Sequence, residues 1–173
     1  MTKELPYSVP LRMHQIGAGL SRTLEPTAEE RARIVKALNL VSLDSFSVDL
    51  QITPTVSGWR MDGRVVAEAV QACGLTLEPL PESINQTFLV NLSEEAQEPE
   101  VDENGEIDLE LNDFFPDVVE DGKIDLGQYA LEQLSLALDP FPRKEGAVFV
   151  QPPEPVEISP FAALKALKSS DQG

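Results

Sequence analysis

The chain has 173 residues, 13 Lys and Arg against 30 Asp and Glu, a net charge of −17 and a single Cys. That length suits one domain of ordinary size with some tail. One Cys excludes an internal disulfide framework, no apolar run approaches the roughly 18 residues of a membrane span, and the acidity opposes long-range attraction to phosphate backbones.

The N-terminal stretch MTKELPYSVPLRM lacks a basic-then-apolar leader pattern, which points to a cytoplasmic protein. Residues 7–16, YSVPLRMHQI, partly alternate. Pro10 would cost a ladder hydrogen bond in a central strand, so the expectation is an edge strand. GAGLSR at 17–22 lacks the strand–loop–helix frame of a phosphate cradle and reads as a turn. Thr27 followed by Glu30 is a capping box, and the spacing of Ile34, Ala37 and Leu38 predicts a helix over 28–39.

Period two then takes over. SFSVDLQIT sets Phe46, Val48, Leu50 and Ile52 on one face. Arg60-Met61-Asp62-Gly63 reads as a hairpin turn ahead of a second strand, RVVAEAVQAC. A turn at Pro79–Pro81 precedes a third strand, NQTFLVNL. Three strands joined by short turns predict an antiparallel meander.

From Glu94 to Asp121 lie 13 of the 30 acids and none of the 13 Lys and Arg, which leaves the rest of the chain at −4. Residues 94–106 read as a solvated acidic loop, and order resumes near IDLELNDFF. Asp125 is placed to cap a helix over 126–138, with Leu131, Leu134 and Leu138 on its apolar face; Asp139-Pro140 ends it. Residues 151–173 form a Pro-rich tail ending in the short amphipathic run FAALKALK, whose Phe161, Leu164 and Leu167 need a docking surface. The fold class is α+β: a mostly antiparallel sheet over about 43–92, extra strands from the N-terminus and near 107–120, two main helices, and one domain over 1–150.

Candidate functional residues are few. Cys73 is half of a zinc knuckle at most, because structural zinc usually takes four thiolate or imidazole ligands. Thr76 occupies the partner position, and the only His is His14. Cys73 therefore reads as a small buried side chain at a strand end. Acid pairs such as Asp102/Glu103 lie in solvated sequence that offers no pocket to shift their pKa. Contacts with a nucleic acid would have to use local cations: Arg12, Arg22, Arg31, Arg33 and Lys36 near the N-terminus, Arg60 and Arg64 near Trp59, or Arg143 and Lys144; Trp59 itself reads first as half-buried packing at a strand end, with base stacking as the alternative. No catalytic residue, metal site or cofactor is assigned, and no small-molecule substrate or membrane is expected.

Three segments, in order, resemble the YceD family of large ribosomal RNA subunit accumulation proteins. In CGLTLEPLPESI, Cys73, Leu77, Glu78 and Pro79 match a Cys-x-x-Cys-Leu-Glu-Pro segment, with Thr76 where the second Cys would stand. GKIDLGQYALEQLSLALDPFPRK matches a Gly-x-Ile-Asp-Leu run, carrying Asp125 and Leu126, with a helix and a Pro-containing run at Pro140 and Pro142. SPFAALKALK matches the family's C-terminal ending. The version resembles an alphaproteobacterial-type branch. Where relatives carry a second Cys, and some carry His or Cys after the Pro-containing run, this chain has Thr76 and then Phe141, Arg143, Lys144 and Glu145. Any metal site those positions form in relatives would be lost here.

The resemblance implies a non-enzymatic binding protein acting in 23S rRNA accumulation or processing and large-subunit assembly, with that RNA or a ribosomal or assembly protein as partner. Two alternatives stay open. One is a chaperone-like acidic adaptor for a basic protein. The other is a metal-dependent hydrolase collecting Glu68, Glu78 and His14.

Overall fold

A computed structural model describes residues 5–95 and 115–149. Chain order is β1 (Pro10–Arg12), a 3-10 turn (Met13–Gln15), β2 (Leu20–Leu24), α1 (Ala28–Ala37), β3 (Ser42–Thr55), β4 (Gly58–Ala72), β5 (Pro79–Ser93), β6 (Asp117–Val118), a second 3-10 turn, β7 (Lys123–Asp125) and α2 (Leu126–Ala137). The main sheet runs β2-β3-β4-β5-β6, antiparallel except for the short β5–β6 pairing. β1 and β7 pair with each other in a small separate sheet. The fold is α+β.

The alternation sorts the long strands onto two faces. Val48, Leu50 and Ile52 of β3 join Met61, Val65 and Ala67 of β4 and Ile84 of β5 in the buried core, with Ile34 of α1 and Leu126, Ala130 and Leu134 of α2 packed in the same cluster. The opposite face is polar. Two rows cross it in register: Thr23, Asp49, Arg64 and Thr87, then Ser21, Gln51, Asp62 and Leu89.

The helices start where their caps stand. The Thr27 hydroxyl accepts from the Glu30 amide at 3.3 Å, and the Glu30 carboxylate accepts from the Thr27 amide at 2.8 Å. This reciprocal box satisfies two amides that a helix start leaves unpaired. α1 closes two residues before the expected end, at Ala37, and Asn39 adopts a positive φ of 53°.

Three expectations fail for related reasons. The tight turn lies at Val56–Ser57, and Arg60–Gly63 is continuous strand, paired on both sides. Gly63 is there for packing: a Cβ on it would lie 2.2 Å from the Phe88 ring, which covers it from the paired strand. Pro79 and Pro81 are inside β5, opposite Ala72 and Val70, and the turn lies at 73–78. No described strand flanks that end of β5 on its other side, so the missing proline amides cost no described ladder bond. GAGLSR is a turn only over its first half; Leu20, Ser21 and Arg22 already belong to β2 and pair with β3. The N-terminal edge strand is confined to Pro10–Arg12 and does not join the main sheet. The expected strands near 107–120 reduce to β6 within the described residues; 107–114, the loop over 96–106 and the tail over 151–173 lie outside them.

Candidate partner-binding surfaces

Two sequence motifs turn out to be knots in the backbone. In GKIDLGQ, Asp125 precedes α2 and accepts from the Gly127 amide at 2.9 Å and the Gln128 amide at 3.2 Å. The same carboxylate accepts from the Val9 amide at 2.8 Å and the Ser8 hydroxyl at 2.5 Å. Leu126 is fully buried, and its amide donates to the Val9 carbonyl at 3.0 Å. One carboxylate thus caps a helix and fastens the N-terminal segment to it. The Tyr7 phenol is buried beside this knot; burial first, then the charges of Glu30 and Asp125, raise its pKa, while Arg22 acts in the opposite direction.

The second knot surrounds Cys73, which is fully buried at the end of β4. Its Sγ accepts from the amides of Thr76 at 3.5 Å and Lys144 at 3.4 Å. The Gly74 amide donates to the Pro142 carbonyl at 2.8 Å, and Lys144 Nζ reaches both Glu78 carboxylate oxygens at 3.0 Å. The Thr76 hydroxyl donates to Glu78 Oε2 at 3.0 Å. Hydrogen bonds from the Thr76 side chain and from the backbone amides of Lys144, Thr76 and Leu75 lower the Cys73 thiol to about 6, outweighing the burial that would raise it. The Thr76 hydroxyl has one proton and so serves either Sγ or Glu78 at a given moment; the amides are the constant donors to the sulfur. Leu77 sits in this turn with a positive φ of 61° and an exposed side chain. Pro79 opens β5, while Pro140 and Pro142 lie in the chain that leaves α2.

This donor set does not suit a metal. Among the described residues no group of three or more His, Cys, Asp and Glu side chains is placed to hold an ion. At Cys73 itself the sulfur faces amide donors, and the Lys144 ammonium already occupies the cation's place against Glu78. The residues weighed for hydrolysis stand apart on separate elements. Glu68 lies on β4 and accepts from Ser83 at 2.7 Å, Glu78 is held by Lys144, and His14 is exposed on the first 3-10 turn.

The candidate cations are spread over several elements. Arg12 is on β1 opposite Lys123. Arg22 is on β2 opposite Leu50, hence on the helix-covered face at its outer edge. On α1, Arg33 and Lys36 point about 60° apart around the axis, with Glu29 between them, and Arg31 turns toward the sheet and is half-buried. Glu30 lies 3.8 Å from Arg33. Arg60 is clamped by Asp62 at 2.7–3.1 Å, and Arg64 Nε donates to Asn85 at 2.8 Å. Both arginines project from the polar face, whereas Trp59 pairs with Leu92 and packs against the core from the other side. Trp59 therefore does not form a platform with its two neighbours. Arg143 is exposed beside the tethered Lys144. Sequence reasoning missed the 66-residue link between Lys144 and Glu78; their opposite charges were visible, but their proximity depends on the fold.

No described helix is long and apolar enough to cross a membrane. No curated protein and no solved structure matched the chain. The family model described as large ribosomal RNA subunit accumulation protein YceD matches residues 61–168, from inside β4 through Cys73, Asp125 and Lys144 into the tail. By that match, over more than half its length, the chain belongs to the YceD family.

Proposed function

We propose that this chain is a non-enzymatic binding protein that supports accumulation of 23S rRNA, and so large-subunit assembly, by gripping a basic ribosomal or assembly protein. Family membership over residues 61–168 carries the first half of that reading. Charge supports the second. The net charge is −17, Arg60 and Lys144 are engaged by the chain's own carboxylates, and acids interleave the cations of α1. A surface of this kind attracts cationic proteins and repels phosphate. The tail residues Phe161, Leu164 and Leu167 supply apolar anchors for such a partner.

Affinity capture from native lysate, with and without nuclease, tests the reading. A ribosomal or assembly protein should remain bound after nuclease and dissociate as salt rises. Replacing both Phe161 and Leu164 with Ala should reduce its recovery at least about tenfold, the loss of roughly 1.4 kcal/mol or more of anchor binding. Association that vanishes with nuclease, together with salt-sensitive binding of purified 23S rRNA, would replace this reading with direct RNA contact through Arg22, Arg33, Lys36 and Arg143.

A further inference from the structure

We propose that residues 73–78 and 139–146 form a metal-free latch, in which the Cys73 sulfur and the Glu78–Lys144 ion pair hold the chain leaving α2 in the way a shared cation would. The two segments are far apart in sequence and meet through ties of three kinds. Backbone meets backbone where the Gly74 amide donates to the Pro142 carbonyl at 2.8 Å. Backbone meets sulfur where the Lys144 amide approaches Sγ at 3.4 Å. Charge meets charge where Lys144 Nζ contacts both Glu78 oxygens at 3.0 Å. Gln71 Nε2 adds a tie to the Asp139 carbonyl at 3.0 Å.

A cation bound between two loops would need ligands from each, stripped of other partners. Here each loop offers the opposite arrangement. Around Lys144 the turn after β4 supplies the acceptors, Sγ and the Glu78 carboxylate, while the Gly74 tie runs the other way. Lys144, in the segment after α2, supplies the donors to them, an amide and an ammonium. Lys144 contributes both, so one residue closes the latch from two directions. Pro140 and Pro142 limit the conformations of the segment before docking, which reduces the entropy lost on closing. The latch thereby fixes the chain that continues through Phe149 toward the tail.

The inference is independent of any partner, and its test reads neither RNA nor protein binding. Amide hydrogen exchange in the full-length chain measures opening at Gly74, whose amide bridges the two segments. Glu78→Gln and Lys144→Met should each speed Gly74 exchange by about 1.4- to 5-fold, the range that an exposed ion pair supports. Joining Glu78→Lys with Lys144→Glu should recover most of the protection. Amides in the middle of β4 should exchange as in the parent chain, which separates latch opening from global unfolding. EDTA should change nothing, and the isolated protein should carry no stoichiometric metal. Unchanged Gly74 exchange in both single variants, or a bound metal whose removal speeds that exchange, would overturn the latch.

Discussion

The knots at Asp125 and Cys73 solve one problem with different chemistry. Each gathers the amides of its own turn and one from a distant segment onto a single side chain that can carry negative charge. Asp125 draws in Val9 from 116 residues away and Cys73 draws in Lys144 from 71 residues away. The carboxylate has two oxygens and accepts four hydrogen bonds at 2.5–3.2 Å. The sulfur has longer, weaker contacts at 3.4–3.5 Å and needs a neighbouring ion pair to complete the closure. Two of the most recognisable motifs in the chain therefore encode how residues 8–9 are fastened to the start of α2 and how the segment after α2 is fastened to the end of β4. Their presence reports architecture before it reports a binding site.

If that contrast is right, the larger loss falls at the carboxylate. Asp125→Ala removes a helix cap, worth about 1 kcal/mol, and leaves the Val9 amide without its charged acceptor. The expected destabilisation is about 2–4 kcal/mol, read as a shift in the urea midpoint at unchanged m-value. Cys73→Ala should cost clearly less. Equal losses would erase the distinction.

The sequence made one part of this contrast visible and hid the other. Asp125 was recognisable as a cap because capping is local: an acid, then a periodic apolar run. That it also binds Val9 was not, since nothing near residue 9 advertises an open donor. Cys73 was correctly read as buried, yet its sulfur is a hydrogen-bond acceptor, and the donor arrives from beyond α2. Period two revealed β3 and the core face of β5, because alternation follows directly from one buried side. It failed at Arg60–Gly63 and Pro79–Pro81, where residues favoured in turns serve long strands instead. Gly63 makes room for an aromatic ring, and the prolines stand beside an edge with no described neighbour. Trp59 packs against the core, as a Trp at a strand end usually does, and its alternative as a stacking platform with Arg60 meets the same alternation: adjacent strand residues point to opposite faces.

The glycines beside the two knots sharpen the comparison. A Cβ on Gly127 would lie 2.9 Å from the backbone of Ser8 and the Tyr7 carbonyl, and backbone cannot swing aside. Gly127→Ala should therefore cost about 1–3 kcal/mol despite alanine's better helix propensity. A Cβ on Gly74 meets only the Pro142 carbonyl, at 3.6 Å, which is ordinary contact. Gly74→Ala should leave stability within about 0.5 kcal/mol of the parent. Thermal unfolding of the two variants side by side checks both. A tolerant Gly127 would mean that the N-terminal segment yields more easily than its hydrogen bonds suggest.

The last effect is a dependence on pH. The Cys73 thiol titrates near 6 when folded, against an ordinary value of 9.0. Between those two values the folded chain has released a proton that the unfolded chain still binds, so stability rises with pH across the window. Below pH 6 both states hold the proton and the contribution is gone; above 9 both have lost it and the gain is complete. Cys73→Val fills the same buried space without an ionisable group. Subtracting its urea midpoints from those of the parent at pH 6, 7.5 and 9 cancels the titration of every other group, provided its packing is kept. The difference should favour the parent increasingly from the lowest pH to the highest. A flat difference would mean that the amides of Thr76 and Lys144 hold a neutral thiol, leaving the Glu78–Lys144 pair as the only charged part of the closure.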